Sequence, residues 1–215
     1  FSPDTGITQL FLAPKTPGQS ASANTYSGRG GVFISPDGQS VWFSQPESGA
    51  IGTLDTERFQ FSTVVFEGTH ASPQSLSMQG KNILYVPLLG TGQLLEYNTS
   101  TGERTLHDLP DRASAPDTAL YDPIRNVVWV ATLTGDSIYS FDPVTREFAL
   151  LPFPRQGTYL KDFSLDPKYG MLVGLYSQHG LQDWPLPVLL TIDIGDGMYP
   201  DPILGATEEF NDNAM

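Results

Sequence analysis

Residues 118–152 read TALYDPIRNVVWVATLTGDSIYSFDPVTREFALLP, and this stretch decides the fold. It holds four short segments rich in apolar residues, at 118–121, 127–132, 137–141 and 147–151. Turn-forming pairs lie between them, among them Asp122-Pro123 and Asp142-Pro143. Short apolar segments bounded by Asp and Pro are typical of β-strands joined by tight turns. This stretch therefore predicts four antiparallel strands.

The same unit recurs along the chain at a nearly constant spacing. One apolar segment is centred at positions 42, 85, 129 and 173, with Trp, Tyr, Trp and Val at the centre. A repeat of about 44 residues with four short strands is the signature of β-propeller blades. A β-sandwich also has short strands, but nothing in its architecture requires this period. The predicted fold is therefore an all-β propeller with about four blades.

The phase of the repeat sets the predicted domain bounds. We expect a lone outer strand at 7–13, blades at about 30–67, 74–110, 117–154 and 161–194, and an irregular C-terminal extension at 195–215. Two alternatives remain open. Residues 9–13 pair with residues 188–193 and close a small four-bladed ring, or both edges meet a further chain or missing blades of a six- or seven-bladed ring. An unpaired sheet edge is an aggregation hazard, so both ends need a partner.

Composition excludes several classes of protein. The chain has a net charge of −13, which argues against a nucleic-acid partner. It has no cysteine, so disulfides and thiolate chemistry are excluded and the redox compartment stays open. No apolar run reaches the ~18 residues of a membrane span. We expect a periplasmic or secreted location in preference to a cytoplasmic one.

The repeat resembles that of the virginiamycin B lyase (streptogramin lyase) family. Trp42-Phe43-Ser44, followed by Ile51-Gly52 and Asp55, is similar to the family motif W-F-T-E…I-G-R-x-D. Residues 137–152, SIYSFDPVTREFALLP, are similar to its D-x-I-x-R-x-D-P-x-T pattern. The resemblance implies a seven-bladed ring that opens cyclic depsipeptides by elimination, with histidine, glutamate and magnesium at the channel mouth. At the family's Pro-His-Gly-Ile element this chain has Pro73-Gln74 and Pro116-Asp117, without the histidine.

The loops that lead into the innermost strands, here called the inner-strand loops, carry a predicted binding site. In register they hold Arg29, His70, Arg112 and Arg155, spaced close to the blade period. Cationic side chains around a channel on an acidic protein would attract anionic ligands. We count Gln74, at the position of the family's histidine, with this predicted ligand-binding set.

Catalytic and metal-binding candidates lie on the same face. His179, in a long insertion at 176–187, is the best candidate base, and Lys161 is a candidate charge stabiliser. Asp117 resembles a metal-ligand position of gluconolactonase-type propellers, and Asp162 and Glu47 could supply further carboxylates to Mg²⁺ or Ca²⁺. The predicted function is to bind, or cleave by elimination, an anionic or cyclic small-molecule or peptide ligand at the channel mouth. The alternative is a non-catalytic interaction scaffold.

Overall fold

The computed structural model describes residues 30–65, 70–153, 158–166, 171–178 and 187–194. Within these ranges the regular structure is fifteen β-strands and two 3-10 turns, Pro46–Ser48 and Arg112–Ser114. None of the helical turns described is long and apolar enough to cross a bilayer. The predicted strand at 7–13 and the extension at 195–215 lie outside the described residues. The all-β prediction is confirmed.

The strands form four sheets, each a meander in chain order, and we number these sheets as blades I to IV. Blade I contains β1 (Val32–Ile34), β2 (Ser40–Gln45), β3 (Ala50–Asp55) and β4 (Phe61–Val65). Blade II contains β5 (Ser77–Gln79), β6 (Ile83–Leu88), β7 (Gln93–Asn98) and β8 (Arg104–Asp108). Blade III contains β9 (Pro116–Asp122), β10 (Val127–Thr132), β11 (Ser137–Phe141) and β12 (Phe148–Pro152). Blade IV contains β13 (Thr158–Asp166), β14 (Met171–Gln178) and β15 (Pro187–Asp193).

Asp and Asn side chains build the tight turns of the blades. Asp55 Oδ1 accepts hydrogen bonds from the backbone N–H groups of Glu57 (2.9 Å) and Arg58 (2.8 Å). Asn98 and Asp142 do the same at the equivalent turns of blades II and III. A short polar side chain can accept hydrogen bonds from the backbone N–H groups two and three residues later. These bonds take the place of strand-to-strand hydrogen bonds where the chain reverses direction. This explains why the chain uses these residues at a fixed period.

Neighbouring blades are held together by three apolar cores. The first joins blades I and II around Trp42 and Ile51, and the second joins blades II and III around Tyr85 and Leu94. The third joins blades III and IV around Trp129. These aromatic residues occupy the same place in their blades, the centre of the second strand. Blades II and III therefore each contribute two different faces to these cores, one directed at the preceding blade and one at the next.

Candidate functional site

The inner-strand loops of neighbouring blades are tied to one another by hydrogen bonds. Gly31 N–H donates to the carbonyl oxygen of Gln74 (3.3 Å), and Ser75 N–H donates to that of Asp117 (3.2 Å). Ser75 Oγ also accepts from Ala119 N–H at 2.7 Å. These bonds run between blades rather than within a sheet. They bring the starts of the innermost strands of blades I, II and III close together.

A cavity of about 410 Å³ lies where these segments meet blade IV. Its lining comes from all four blades: Gly31 and Val32; Gln74, Ser75 and Leu76; Asp117, Thr118, Ala119 and Leu120; Asp162 and Phe163. A small-molecule site has a volume of roughly 300–1,000 Å³ and combines apolar walls with a few polar groups. The cavity between the innermost strands meets both conditions.

The polar groups of the lining are positioned by local structure. Gln74 is buried, and its Nε2 donates to the carbonyl oxygen (3.1 Å) and Oγ (3.0 Å) of Ser72, which fixes the amide plane. Asp117 is half-buried at the start of β9. The pairing of β13 with β14 shifts register between Leu160 and Asp162. Such a bulge re-aims a side chain, and Asp162 lies exposed in the cavity lining.

In blades II and III the inner-strand loop is hydrogen-bonded to the connection between the second and third strands. Ser72 and Ala71, in the inner-strand loop of blade II, accept backbone hydrogen bonds from Leu89 and Gly90 in the β6–β7 connection (both 3.1 Å). In blade III, Ala115 accepts from Leu133 at 3.0 Å in the same arrangement. In each of these two blades, the inner-strand loop and the connection between the second and third strands are therefore held side by side.

The structure places the predicted ligand-binding residues differently from one another. Gln74 lines the cavity, whereas His70 and Arg112 are exposed and lie outside its lining. The Arg112 Nε and Nη2 donate to the carbonyl oxygen of Thr91 at 3.1 and 3.0 Å. The guanidinium is therefore hydrogen-bonded to the β6–β7 connection. Arg29 and Arg155 lie outside the described residues.

The predicted catalytic and metal-binding residues are also divided. Asp117 lines the cavity, but Glu47 is exposed in the turn Pro46–Ser48 and is not part of the lining. Lys161 lies in β13 directly before Asp162, and its side chain is not described. His179 lies outside the described residues. The structure thus brings Asp117 and Asp162 into one cavity and does not bring Glu47 to them.

The described donors do not form a metal site. Among the residues that the structure describes, no group of three or more His, Asp or Glu side chains could hold a cation. Ca²⁺ takes six to eight oxygen ligands, and the cavity offers two carboxylates, Asp117 and Asp162. None of the described lining residues is Lys, Arg or His. The charge of the described lining is therefore acidic.

Sequence reasoning missed Ser75, Thr118 and Phe163 as lining residues. The signal for Ser75 lies in the repeat itself, since Ser75 and Ala119 are one period of 44 residues apart and are bonded across the blade interface. Ser77 Oγ accepts from Tyr121 N–H (2.8 Å) at the same separation. Alternating serines on an innermost strand therefore mark the side of that strand that faces the next blade.

Comparisons with solved structures identify the architecture. A catalytically inactive virginiamycin B lyase from Staphylococcus aureus, with quinupristin, is similar at 14% identity and a TM-score of 0.61 over 78% of this chain and 56% of that chain. Hydrazine synthase from Kuenenia stuttgartiensis is similar at 15% identity and a TM-score of 0.65 over 76% and 45%. A chain of the nidogen/laminin complex is similar at 14% identity and a TM-score of 0.57 over 68% and 58%.

The fold is a β-propeller. Identities of this size show the fold alone, since propellers of one architecture carry many functions. The chain spans about half of the length of the solved propellers it matches. No family model and no curated protein sequence matches it.

Proposed function

We propose that this chain binds a small ligand at the mouth of the propeller channel. The ligand donates hydrogen bonds and is about as large as a small amine or the reactive face of a cyclic peptide. The observation that carries the proposal is the cavity of about 410 Å³ to which all four blades contribute. A groove between only two blades would be a by-product of packing. A cavity that collects the innermost strands of four blades is where propellers bring distant residues together.

The chemistry of the lining supports a ligand with donors. The carboxylates of Asp117 and Asp162 accept hydrogen bonds, and a charged acceptor binds an amine or amide more strongly than a neutral one does. Leu76, Leu120 and Phe163 provide apolar wall on which hydrocarbon parts of the ligand can pack. An acidic lining repels carboxylates and phosphates.

This proposal changes the expected charge of the ligand. The anionic ligand was expected from Arg29, His70, Arg112 and Arg155, but His70 and Arg112 do not line the cavity. Elimination would require a base, and the side chains predicted for that chemistry, His179 and Lys161, are not among those described. The proposal is therefore for binding. The structure of a virginiamycin B lyase of similar fold contains quinupristin, which makes this compound a suitable first probe.

The test measures binding of quinupristin, a small amine (glucosamine) and the matching carboxylate (gluconate) by calorimetry. Asp162→Asn keeps the shape of an exposed side chain and removes its charge. Asp193→Asn is the matched control, because Asp193 is an exposed carboxylate of the same blade outside the lining. We expect glucosamine or quinupristin to bind, with about tenfold lower affinity in Asp162→Asn and unchanged affinity in the control.

Three outcomes would contradict the proposal. Preference for gluconate would show that the ligand is bound by the basic residues of the inner-strand loops. Equal weakening by Asp162→Asn and Asp193→Asn would show a general charge effect. No binding of any probe to a folded protein would favour the interaction-scaffold alternative.

A further inference from the structure

The chain enters the innermost strands of blades II and III in the same way. Ser72-Pro73-Gln74 and Ala115-Pro116-Asp117 occupy equivalent positions 43 residues apart, and we call each triplet an entry element. Ser72 has a φ of +47°, and Ala115 has a φ of +53°. Positive φ is uncommon for a residue with a Cβ atom, and the residue before a proline favours an extended backbone. The first residue of each entry element is therefore strained.

The last residue of each entry element lies at a β-bulge. In blade III the pairing of β9 with β10 shifts register between Ala131 and Thr132, which makes Asp117 the extra residue of the bulge. Blade II has the same irregularity, because three residues separate Pro73 from the start of β5 and only two separate their partners on β6. A bulge re-aims a side chain, and both Gln74 and Asp117 line the cavity. Two equivalent bulges therefore direct side chains to one cavity.

Hydrogen bonds from the connection between the second and third strands hold each strained residue in place. Leu89 N–H donates to the carbonyl oxygen of Ser72 (3.1 Å), and Leu133 N–H donates to that of Ala115 (3.0 Å). A strained backbone persists where the surrounding structure fixes it, and such residues concentrate at functional sites. Glycine would adopt the same conformation without strain. The chain instead has Ser and Ala at these positions, which narrows the conformations open to each loop.

The entry elements also carry hydrogen bonds between blades. The carbonyl oxygen of Gln74 accepts from Gly31 N–H at 3.3 Å, and that of Asp117 accepts from Ser75 N–H at 3.2 Å. Ser72 also fixes the Gln74 side chain, because its carbonyl oxygen and Oγ accept the two hydrogen bonds that Nε2 donates. The Oε1 atom of that amide, an acceptor, is then the atom that a ligand can use. A shift of an entry element would move both its bulge residue and the contact with the neighbouring blade.

We propose that Ser72 and Ala115 are positioning residues of the cavity. Their strained backbones hold Gln74 and Asp117 in the orientation in which these side chains meet a ligand, so the chain gives up stability and gains affinity. A site whose groups are fixed before binding loses less conformational freedom when the ligand arrives, and its affinity is higher for that reason. The inference rests on the proposed function, because it concerns the same cavity.

The first experiment relieves the strain without changing any side chain of the cavity lining. Ala115→Gly does this, and Arg146→Gly is the matched control. Arg146 is an exposed residue of the same blade with a φ of +62°, and the equivalent residue of blade II is Gly102, with a φ of +77°. We expect both variants to melt about 2–4 °C higher, because glycine at positive φ removes a steric conflict. Only Ala115→Gly should weaken the binding of glucosamine or quinupristin, by about three- to tenfold.

Blade II separates the backbone strain from the side-chain contact. Ser72→Ala keeps the strain and removes the hydroxyl that accepts from Gln74 Nε2, whereas Ser72→Gly removes both. We expect Ser72→Gly to melt about 2–4 °C above Ser72→Ala, because only the glycine relieves the strain. Ser72→Gly should nevertheless bind the probe about threefold more weakly than Ser72→Ala does.

Amide hydrogen exchange tests the positioning without a ligand. In Ala115→Gly the Ser75 N–H, which is bonded to the carbonyl oxygen of Asp117, should exchange about threefold faster or more. The Tyr121 N–H is the internal control, because it is bonded to Ser77 Oγ at 2.8 Å between the same two blades and should not exchange faster. A change in global stability alone would move the exchange of both amides in the same direction.

Several results would overturn the proposal. A melting temperature of Ala115→Gly at or below that of the original chain would show that the backbone there is not strained. Equal affinity in Ala115→Gly and the original chain, or equal weakening in Arg146→Gly, would show that the strain does not serve binding. Unchanged exchange of the Ser75 N–H would show that the entry element does not hold Asp117. If no probe binds the original chain, the proposed function fails, and the Ser75 exchange result then decides the positioning role by itself.

Discussion

Replacement of Asp122 by alanine should strongly destabilise blade III. Asp122 ends β9 and is fully buried. Its Oδ1 accepts from the backbone N–H groups of Ile124 (2.9 Å) and Arg125 (3.2 Å), and its Oδ2 accepts from Arg125 Nη1 (2.8 Å) and Trp129 Nε1 (3.3 Å). Burial raises the pKa of Asp122, but the hydrogen bonds from Arg125 and Trp129 outweigh it and hold that pKa below its ordinary value.

The size of the effect follows from what the substitution leaves behind. The Arg125 side chain is 13% exposed and would lose its carboxylate partner. Removal of one member of a buried ion pair costs about 3–5 kcal/mol. In a protein of 150–250 residues, 1 kcal/mol lowers the melting temperature by about 2–4 °C. Asp122→Ala should therefore melt about 6–20 °C lower.

The assay is thermal unfolding followed by circular dichroism, with Asp142→Ala as the matched control. Asp142 bonds Val144 and Thr145 in the same type of turn but is only half-buried, so its loss should cost about 1 kcal/mol. In the double variant Asp122→Ala/Arg125→Met, part of the loss should be recovered because no buried charge remains. Equal melting temperatures for Asp122→Ala and Asp142→Ala would refute the reasoning.

Three further predictions test the contact between blades I and II, the turn carboxylates and a buried tyrosine. A methyl group at Gly31 would lie 2.7 Å from the Cα of Ser75, so Gly31→Ala should push blade I away from blade II. The free energy of unfolding in urea should fall by about 1–3 kcal/mol, and binding in the cavity should weaken. An unchanged free energy of unfolding would contradict this close contact between the blades. The Ser35 hydroxyl lowers the pKa of Asp37, and the Arg58 N–H lowers the pKa of Asp55. The two carboxylates therefore stabilise the fold above the ordinary pKa of 3.8, and this stabilisation is lost as the pH falls through their folded-state pKa values. A melting temperature that stays constant on acidification below pH 3.8 would disprove this. Burial, and next the charge of Glu96, raises the pKa of Tyr85 above its ordinary 10.0. The stability of the fold should therefore fall as the pH rises past 10.0, and Tyr85→Phe should reduce that loss. The same loss of stability at alkaline pH in Tyr85→Phe would assign it to other groups.

The period of the repeat could be recognised in the sequence because neighbouring blades pack against each other in the same way. In blades I to III an aromatic ring fills the centre of the second strand, and Asp or Asn forms the turn after the third. Trp42, Tyr85 and Trp129 and the turn residues Asp55, Asn98 and Asp142 therefore mark the blades directly. The strand bounds of blade III agree with those predicted within two residues.

The partners of individual side chains were not readable in the same way. Spacing placed His70 and Arg112 in equivalent loops, but a long exposed side chain bonds whichever acceptor lies within reach, and Arg112 bonds Thr91. Asp122 looked like an ordinary turn residue, and its burial depends on Arg125 and Trp129 folding over it. Asp162 was a candidate metal ligand from sequence, but its position in the cavity lining depends on a bulge in β13, which has no clear sequence signal.

The most direct test of the account is a two-dimensional ¹H–¹⁵N spectrum of the labelled chain titrated with the probe that binds best, quinupristin, glucosamine or gluconate. If the innermost strands of four blades form one binding cavity, amide shifts should move together, with one affinity, at residues 31–32, 74–76, 117–120 and 162–163. These segments are far apart in sequence, so only a shared cavity would couple them. Shifts confined to a single blade, or spread over exposed loops away from these segments, would contradict the account.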